Sequence, residues 1–333
     1  KYYNSKLEVR AREFNHITID KNRGILKKTS DDKDKFIGEI KWYLKLPADV
    51  EYVRPRIFDY STSYVNPYVS MEYYAYHTVH ELFLYGDLTL QQWIDIFNRI
   101  RFVCDDFKRY TVKDTNIHSA LEEMYLTKTL QRFEKMKKDG RFLAFFESPI
   151  EVNGKKYLPL NEIIIALEKA IPEMLYDVDT FNIIHGDLCF ANIMVDSNFS
   201  FIKVIDPRGK FGTYDIFGDF RYELAKLFHS VDGKYDFIIK DLFDLDYNSE
   251  RACINYRIQD RKREFNLYKV FLSTFAAEID SDLKKIELIE ALLFLSMIPL
   301  HGESIRHQMV MLGTGLEILN RVIDIQIGEK KNV

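Results

Sequence analysis

The sequence predicts an α+β chain of two lobes, a small strand-rich lobe over residues 1–74 and a larger, mainly helical lobe over 75–333. Three observations predict this. Short β-branched or apolar runs, separated by turn residues, fill the first lobe with room for one helix. From about residue 79 apolar residues recur at helical spacing. A return to strand-like runs over 181–205 then interrupts the helices and carries an unusual set of polar residues.

In order, 14–20 and 24–29 read as strands joined by the turn Asp20-Lys21-Asn22-Arg23-Gly24. Ser30 and Asp31 offer caps for a helix carrying Phe36, Ile37, Ile40, Tyr43 and Leu44, which stops before Pro47. Residues 56–60 and 68–74 read as two more strands, broken by Asn66-Pro67. Thr89 and Gln92 form a capping box, with Leu88 and Trp93 placed as its staple, opening a helix to about Tyr110. Further helices are expected over 119–138 and 160–175. After 205 the reading is mainly helical to about Ile327. The apolar stretch 286–300 contains Glu287 and Glu290 and is shorter than the ~20 residues that a membrane span needs, so a buried helix is expected.

Composition excludes some functions. With 47 Lys+Arg against 51 Asp+Glu the net charge is −4, unlike a dedicated nucleic-acid binder. Cys104, Cys189 and Cys253 are odd in number and scattered, which fits a reducing, cytoplasmic setting and offers no zinc site. His77 and His80 have helical spacing but no third ligand. A chain that opens on Lys1 is expected to be processed or part of a longer polypeptide.

Residues 185–192 read His-Gly-Asp-Leu-Cys-Phe-Ala-Asn, and Asp206 follows Asn192 by fourteen residues. Phosphoryl transfer needs a carboxylate to orient the attacking hydroxyl and oxygen ligands to hold magnesium against the phosphates. Asp187 suits the first task as catalytic base. Asn192 and Asp206 suit the second, as magnesium ligands. His185 fits as a brace for the loop backbone. The runs 193–195 and 201–205 are expected to form a hairpin, turning at 196–200, that returns Asp206 to Asn192.

This constellation, with Gly186-Asp187 where protein kinases have Arg-Asp, resembles the aminoglycoside phosphotransferase and choline kinase superfamily of protein-kinase-like folds. Residues 205–209 (Ile-Asp-Pro-Arg-Gly), Gly218-Asp219 and 299–301 look like a bacterial subgroup associated with capsule and surface-polysaccharide synthesis. The resemblance implies a nucleotide-binding lobe over 1–74 and a lobe with catalytic loop, metal site and acceptor pocket over 75–333. It implies ATP and Mg²⁺ as cofactors and a small-molecule alcohol (a sugar, polyol or amino alcohol) as acceptor, with no nucleic acid and no membrane span. The absence of an Ala-Pro-Glu element after Asp206 also favours a small acceptor over a protein.

The family pattern extends to supporting residues. Lys28 is expected to meet the nucleotide phosphates and Glu39 to hold it, with Lys27 the competing candidate, because neighbouring strand residues face opposite ways. Met71, Glu72, Tyr73 and Tyr74 are expected at the hinge beside adenine. A glycine-rich phosphate-covering loop is expected before Lys28, yet the first 23 residues hold no glycine, so the loop is either glycine-free, near Asn4-Ser5, or partly removed with the N-terminus. Arg208 reads either as a clamp on a phosphate or acidic substrate or as a structural ion pair. Asp219 is expected to support the catalytic loop by accepting its backbone N–H groups. Tyr125, Lys128 and Arg132 share a helix face at i, i+3 and i+7, bordering the acceptor pocket by resemblance or forming a solvated basic face. His301 is read as substrate-binding or as a satisfied core histidine. Rival functions on the same fold are a protein kinase, an AMP transferase and a nucleotide-binding pseudokinase.

Overall fold

In the computed structural model, which describes residues 15–328, the first strand β1 (Asn15–Asp20) turns back into β2 (Ile25–Ser30). Gly24 closes the turn at φ +65°, a conformation that favours glycine. β3 (Ile57–Ser61) and β4 (Tyr68–Glu72) complete an antiparallel sheet of order β1-β2-β4-β3. Asn4 and Ser5, and with them the expected phosphate-covering loop, lie outside the described residues.

Between β2 and β3 runs α1 (Lys33–Lys45). Its cap is Asp32, whose carboxylate accepts the Lys35 N–H, and not Ser30 or Asp31. Ser30 is spent as the last residue of β2. The inner face of α1 buries Phe36, Glu39, Ile40, Trp42 and Tyr43. Two of these cross to the second lobe. The Trp42 indole N–H donates to the Ile184 carbonyl at 2.7 Å, and the Tyr43 hydroxyl accepts the Asp206 N–H at 3.0 Å. Burying a side chain as large as Trp42 contributes roughly 2–3 kcal/mol, so α1 is fastened to both lobes.

From β4 the chain reaches a short strand, His77–Thr78, that pairs with Ile193–Val195 of the catalytic segment. The helix Leu90–Lys108 starts at the expected box, with both Thr89–Gln92 bonds formed. The helix Leu160–Leu175 matches its expected span. The helix expected over 119–138 is present but not uniform. It runs as Ile117–Leu121, a wide π turn over Glu122–Thr127, and Lys128–Lys137. The apolar stretch becomes the buried helix Leu283–Met297, packed on Phe220–Val231 and Ile305–Leu319. Among the described residues no helix is long and apolar enough to cross a membrane.

One expectation is corrected. The region after 205 is not simply helical, because Phe243–Asn248 and Cys253–Ile258 form a hairpin. Cys253–Ile258 then adds in parallel to Ile150–Val152, which pairs with Lys155–Tyr157. The alternation Phe243, Leu245, Tyr247 against Asp244, Asp246, Asn248 is the period-2 pattern of a half-buried strand.

Candidate active site

The segment 185–206 folds as expected. Ile193–Val195 and Ile202–Val204 pair antiparallel, and Asp196 closes the turn by accepting the Ser200 and Phe201 N–H groups at 2.7 and 2.8 Å. The Ile205 N–H donates to the Asn192 carbonyl at 3.0 Å, which returns Asp206 to Asn192. Asp206 has φ +55°, rare for a residue with a Cβ and typical of positions held for function.

Lys28 is the organising cation. Its ammonium donates to both Glu39 oxygens at 2.8 Å and to Asp206 Oδ1 at 2.7 Å. Lys27 points the other way, exposed, with its ammonium 4.4 Å from the Tyr68 ring centre. The strand period thus decides between the two lysines. Burial alone would lower Lys28, but Glu39 and Asp206 hold it above its ordinary value, so it stays cationic. Burial, with Asp206 adding repulsion, pushes Glu39 up to about 7. The Gly38 and Gly209 backbones touch, and a Cβ on Gly209 would lie 2.2 Å from the Gly38 carbonyl carbon. Gly209 has φ +68°. This contact latches α1 onto the loop after Asp206.

Across the cleft, Asp187 Oδ1 pairs with the buried Lys226 ammonium at 2.9 Å, and Asp187 Oδ2 accepts from Asn192 Nδ2 at 3.1 Å. Asn192 Nδ2 also donates to the Asp187 carbonyl at 2.9 Å. With its amide nitrogen so used, Asn192 turns its carbonyl oxygen away from any donor among the described residues, and Asp206 Oδ2 is likewise free of one. Two hard oxygen donors suit Mg²⁺, which usually takes one or two protein ligands and fills its octahedron with water and phosphate oxygens. Asn192 and Asp206 therefore fit the ion. Lys28, Glu39, Asp187 and Asp206 line one cleft with Asn15, Ser30, Lys35 and Pro207.

His185 braces the loop. It is fully buried, and burial pulls it down to about 4, so the ring is neutral. Its Nε2 lies 3.0 Å from the Ile205 carbonyl, which requires the proton there, and Nδ1 then accepts the Asp187 N–H at 3.3 Å. The loop's other backbone donors correct an expectation. The His185 and Gly186 N–H groups go to Glu223 at 2.7 and 2.9 Å, not to Asp219. Asp219 instead caps the helix Phe220–Val231 and binds the Arg221 guanidinium and the Tyr125 hydroxyl. Asp219 sits four residues before Glu223, and its oxygens are committed to starting that helix and to Arg221 and Tyr125.

Glu223 and Lys226 were not singled out from the sequence. Their signal was the charged residues Arg221, Glu223 and Lys226 inside the mostly apolar run Phe220–Val231, where buried ionic groups need a purpose.

Three further expectations change. Tyr125 is 1% exposed with its hydroxyl donating to buried Asp219, so it lies in the core and not on an open helix face. At the hinge, the Glu72 and Tyr73 N–H groups are already bonded to the Arg56 and Gly24 carbonyls, which leaves the Tyr74 N–H as the one without an acceptor among the described residues. Met71 is buried in the sheet and Tyr74 bonds Glu72 at 2.7 Å. Arg208 has no carboxylate within 4 Å among the described residues, which removes the ion-pair reading. His301 bonds Glu303 at 3.0 Å and lies with His307 and Tyr235 in a second polar cluster.

This architecture recurs in solved structures. The streptomycin–ATP complex of APH(2")-IIa superposes with a TM-score of 0.52 at 14% identity, covering 95% of this chain and 92% of that one. The aminoglycoside phosphotransferase APH(4)-Ia gives 0.52 at 11% identity over 93% and 91%. The fold is that of the aminoglycoside phosphotransferases. A ternary complex of an APH(4)-Ia mutant with AMP-PNP and hygromycin B superposes at 0.51, with 12% identity over 93% and 91%. No protein-family model and no curated protein sequence matches the chain. The protein-kinase-like fold expected from residues 185–206 is thus the fold observed.

Proposed function

We propose that this protein is an ATP- and magnesium-dependent kinase that phosphorylates a hydroxyl of a small molecule, a sugar or polyol in the first instance. The observation that carries this reading is the assembled set of Lys28 bridging Glu39 and Asp206 in one cleft with Asp187, to which Asn192 is hydrogen-bonded. Each member has a task. Lys28 meets nucleotide phosphates, with Glu39 holding its ammonium. Asn192 and Asp206 would hold Mg²⁺, which would supply positive charge to screen the phosphates. Asp187 orients the acceptor hydroxyl and takes its proton. The hydroxyl oxygen forms a bond to the γ-phosphorus while the bond from that phosphorus to the bridging oxygen breaks, giving a phosphate monoester and ADP. Lys226 keeps Asp187 aimed and its charge balanced.

The adenine ring is placed beside Tyr74, whose backbone donor is free, with Met71 beneath. A role in surface-polysaccharide synthesis and a cytoplasmic setting are the readings that the sequence resemblance and the unpaired cysteines favour. The test is ADP formation from Mg-ATP across a panel of alcohols, with product mass read in parallel. A gain of one phosphate per acceptor supports the proposal, and a gain of AMP overturns it.

A further inference from the structure

Three cations, Lys128, Arg132 and Arg208, gather beside the loop that carries Asp187, and none has a carboxylate partner among the described residues. Arg208 lies against the residue before Asp187, since a Cβ on Gly186 would sit 2.9 Å from the Arg208 Cβ. Its Nε donates to the Lys210 carbonyl at 2.9 Å and one terminal nitrogen to the Tyr222 hydroxyl at 3.1 Å. The other terminal nitrogen lies 4.0 Å from the Met124 sulfur. A guanidinium has five N–H donors, so several remain to be used. Met124 is one turn before Lys128, and Arg132 follows Lys128 by four residues in the regular α-helix Lys128–Lys137, so the last two share a face.

Lys128 and Arg132 are both half-buried, and neither has a hydrogen bond or ion pair among the described residues. Charges withdrawn from water are ordinarily paired, because an unpaired one is costly to bury. Here the cost is visible. Burial first, then repulsion from Arg208, Arg132 and Lys226, pulls Lys128 down to about 7, with only Glu123 pulling the other way. Burial and Arg208 likewise lower Arg132. Lys226 is neutralised by Asp187, so the excess positive charge belongs to the other three.

We propose that Lys128, Arg132 and Arg208 form an anion subsite of the acceptor pocket, and that the acceptor is an anionic alcohol, a sugar or polyol already bearing a phosphate or carboxylate group. The anion sits in the fork of Arg208 and against the Lys128 ammonium while the free hydroxyl meets Asp187. An amino alcohol would bring another cation into a place that already repels one. The product would then carry two anionic groups, and an earlier reaction of the phosphorylation or oxidation class must supply the first. This inference rests on the kinase reading. The same chemistry could serve the phosphates of ATP instead, and the test separates the two.

Two measurements on the intact protein suffice. In the first, an amine-reactive reagent labels wild-type protein near pH 8 and mass spectrometry follows Lys128, which is largely neutral there and should react ahead of ordinary lysines. Inorganic phosphate and glycerol 3-phosphate are expected to slow that labelling several-fold, and glycerol to leave it unchanged. In the second, turnover is measured with phosphorylated, carboxylated and neutral alcohols. Arg132→Met and Arg132→Gln are expected to raise the acceptor KM about 10-fold, the size of one lost charge-assisted contact, while the ATP KM holds. A raised ATP KM with an unchanged acceptor KM would assign the cations to the nucleotide and overturn the inference. A neutral alcohol as best acceptor, with no phosphate protection of Lys128, would overturn it while leaving the kinase reading intact. Phosphate protection without turnover on any alcohol would instead overturn the kinase reading.

Discussion

The latch between Gly38 and Gly209 makes the active state of the cleft depend on one missing side chain. In Gly209→Ala the new Cβ would lie 2.2 Å from the Gly38 carbonyl carbon, 2.3 Å from its oxygen and 2.6 Å from the Glu39 nitrogen. All three are backbone atoms, which cannot swing aside as a side chain can. Carbon atoms pack best at about 3.5–4.0 Å, so α1 and the loop must separate by more than ~1 Å. The left-handed backbone at φ +68° adds about 1–2 kcal/mol for a residue with a Cβ, and overpacking typically adds 1–3 kcal/mol. A loss of roughly 2–5 kcal/mol in stability is expected, read as a fall in the denaturant midpoint. The functional loss should be larger than stability explains. Glu39 is the next residue along α1, and its grip on Lys28 at 2.8 Å, with Asp206 at 2.7 Å, cannot survive such a shift. A displacement of ~1 Å in a positioned group costs on the order of 10²-fold in rate, so kcat/KM for ATP should fall by about that factor. Gly38→Ala is the internal contrast. Its Cβ would meet the Gly209 oxygen at 3.2 Å, a tight but adjustable contact, and less than about 5-fold loss is expected. Equal behaviour of the two variants, or near wild-type turnover in Gly209→Ala, would refute the latch.

Two further outcomes follow from the buried carboxylates. Burial raises Glu223 from 4.5 to about 7 against the pull of its two backbone donors. A carboxyl group raised in the folded state stabilises it most below its unfolded value, and that contribution fades as pH climbs towards 7, in total by roughly 3 kcal/mol. Glu223→Gln cannot titrate, so its destabilisation relative to wild type should be largest near pH 5 and shrink towards pH 8 in denaturant titrations; a gap that stays level or widens would show that the N–H bonds from His185 and Gly186 outweigh burial. Tyr125→Phe removes the hydroxyl on Asp219 at 2.8 Å and should lower stability by about 1.5–3 kcal/mol, as for a bond to a charged group, with acceptor KM unchanged. A large rise in acceptor KM would return Tyr125 to the substrate site.

What the sequence made legible was local. His185, Asp187, Asn192 and Asp206 lie at the two ends of one short hairpin, so their spacing encodes their geometry, and the structure returns Asp206 to Asn192 through a single backbone bond. The strand period showed that only one of Lys27 and Lys28 could face inward, and the buried face in the structure is that of Lys28. Glu223 and Lys226 were hidden because they reach the loop from a separate helix, and no spacing rule links residues 185–187 to them. Tyr125 was misplaced for a different reason. Counting i, i+3 and i+7 assumes a uniform α-helix, but the π turn over Glu122–Thr127 holds an extra residue and rotates Tyr125 inward, while Lys128 and Arg132 begin a fresh α register. Such wide turns recur at functional sites, and this one separates a structural tyrosine from the two cations beside the cleft. The hairpin Phe243–Asn248 with Cys253–Ile258 was readable in its alternation but was outweighed by the helical runs on either side.

The central claim is that Asp187 takes the proton of an acceptor hydroxyl in a magnesium-assembled site. The most direct measurement is ADP formation from Mg-ATP with the best acceptor of the panel, comparing wild type with Asp187→Asn. The account predicts acceptor-dependent turnover in wild type and a loss of ~10²-fold or more in the variant, as for removal of a positioned base, with Mg-ATP still bound because Lys28, Asn192 and Asp206 remain. Undiminished turnover in Asp187→Asn, or wild-type protein that binds no Mg-ATP, would contradict it.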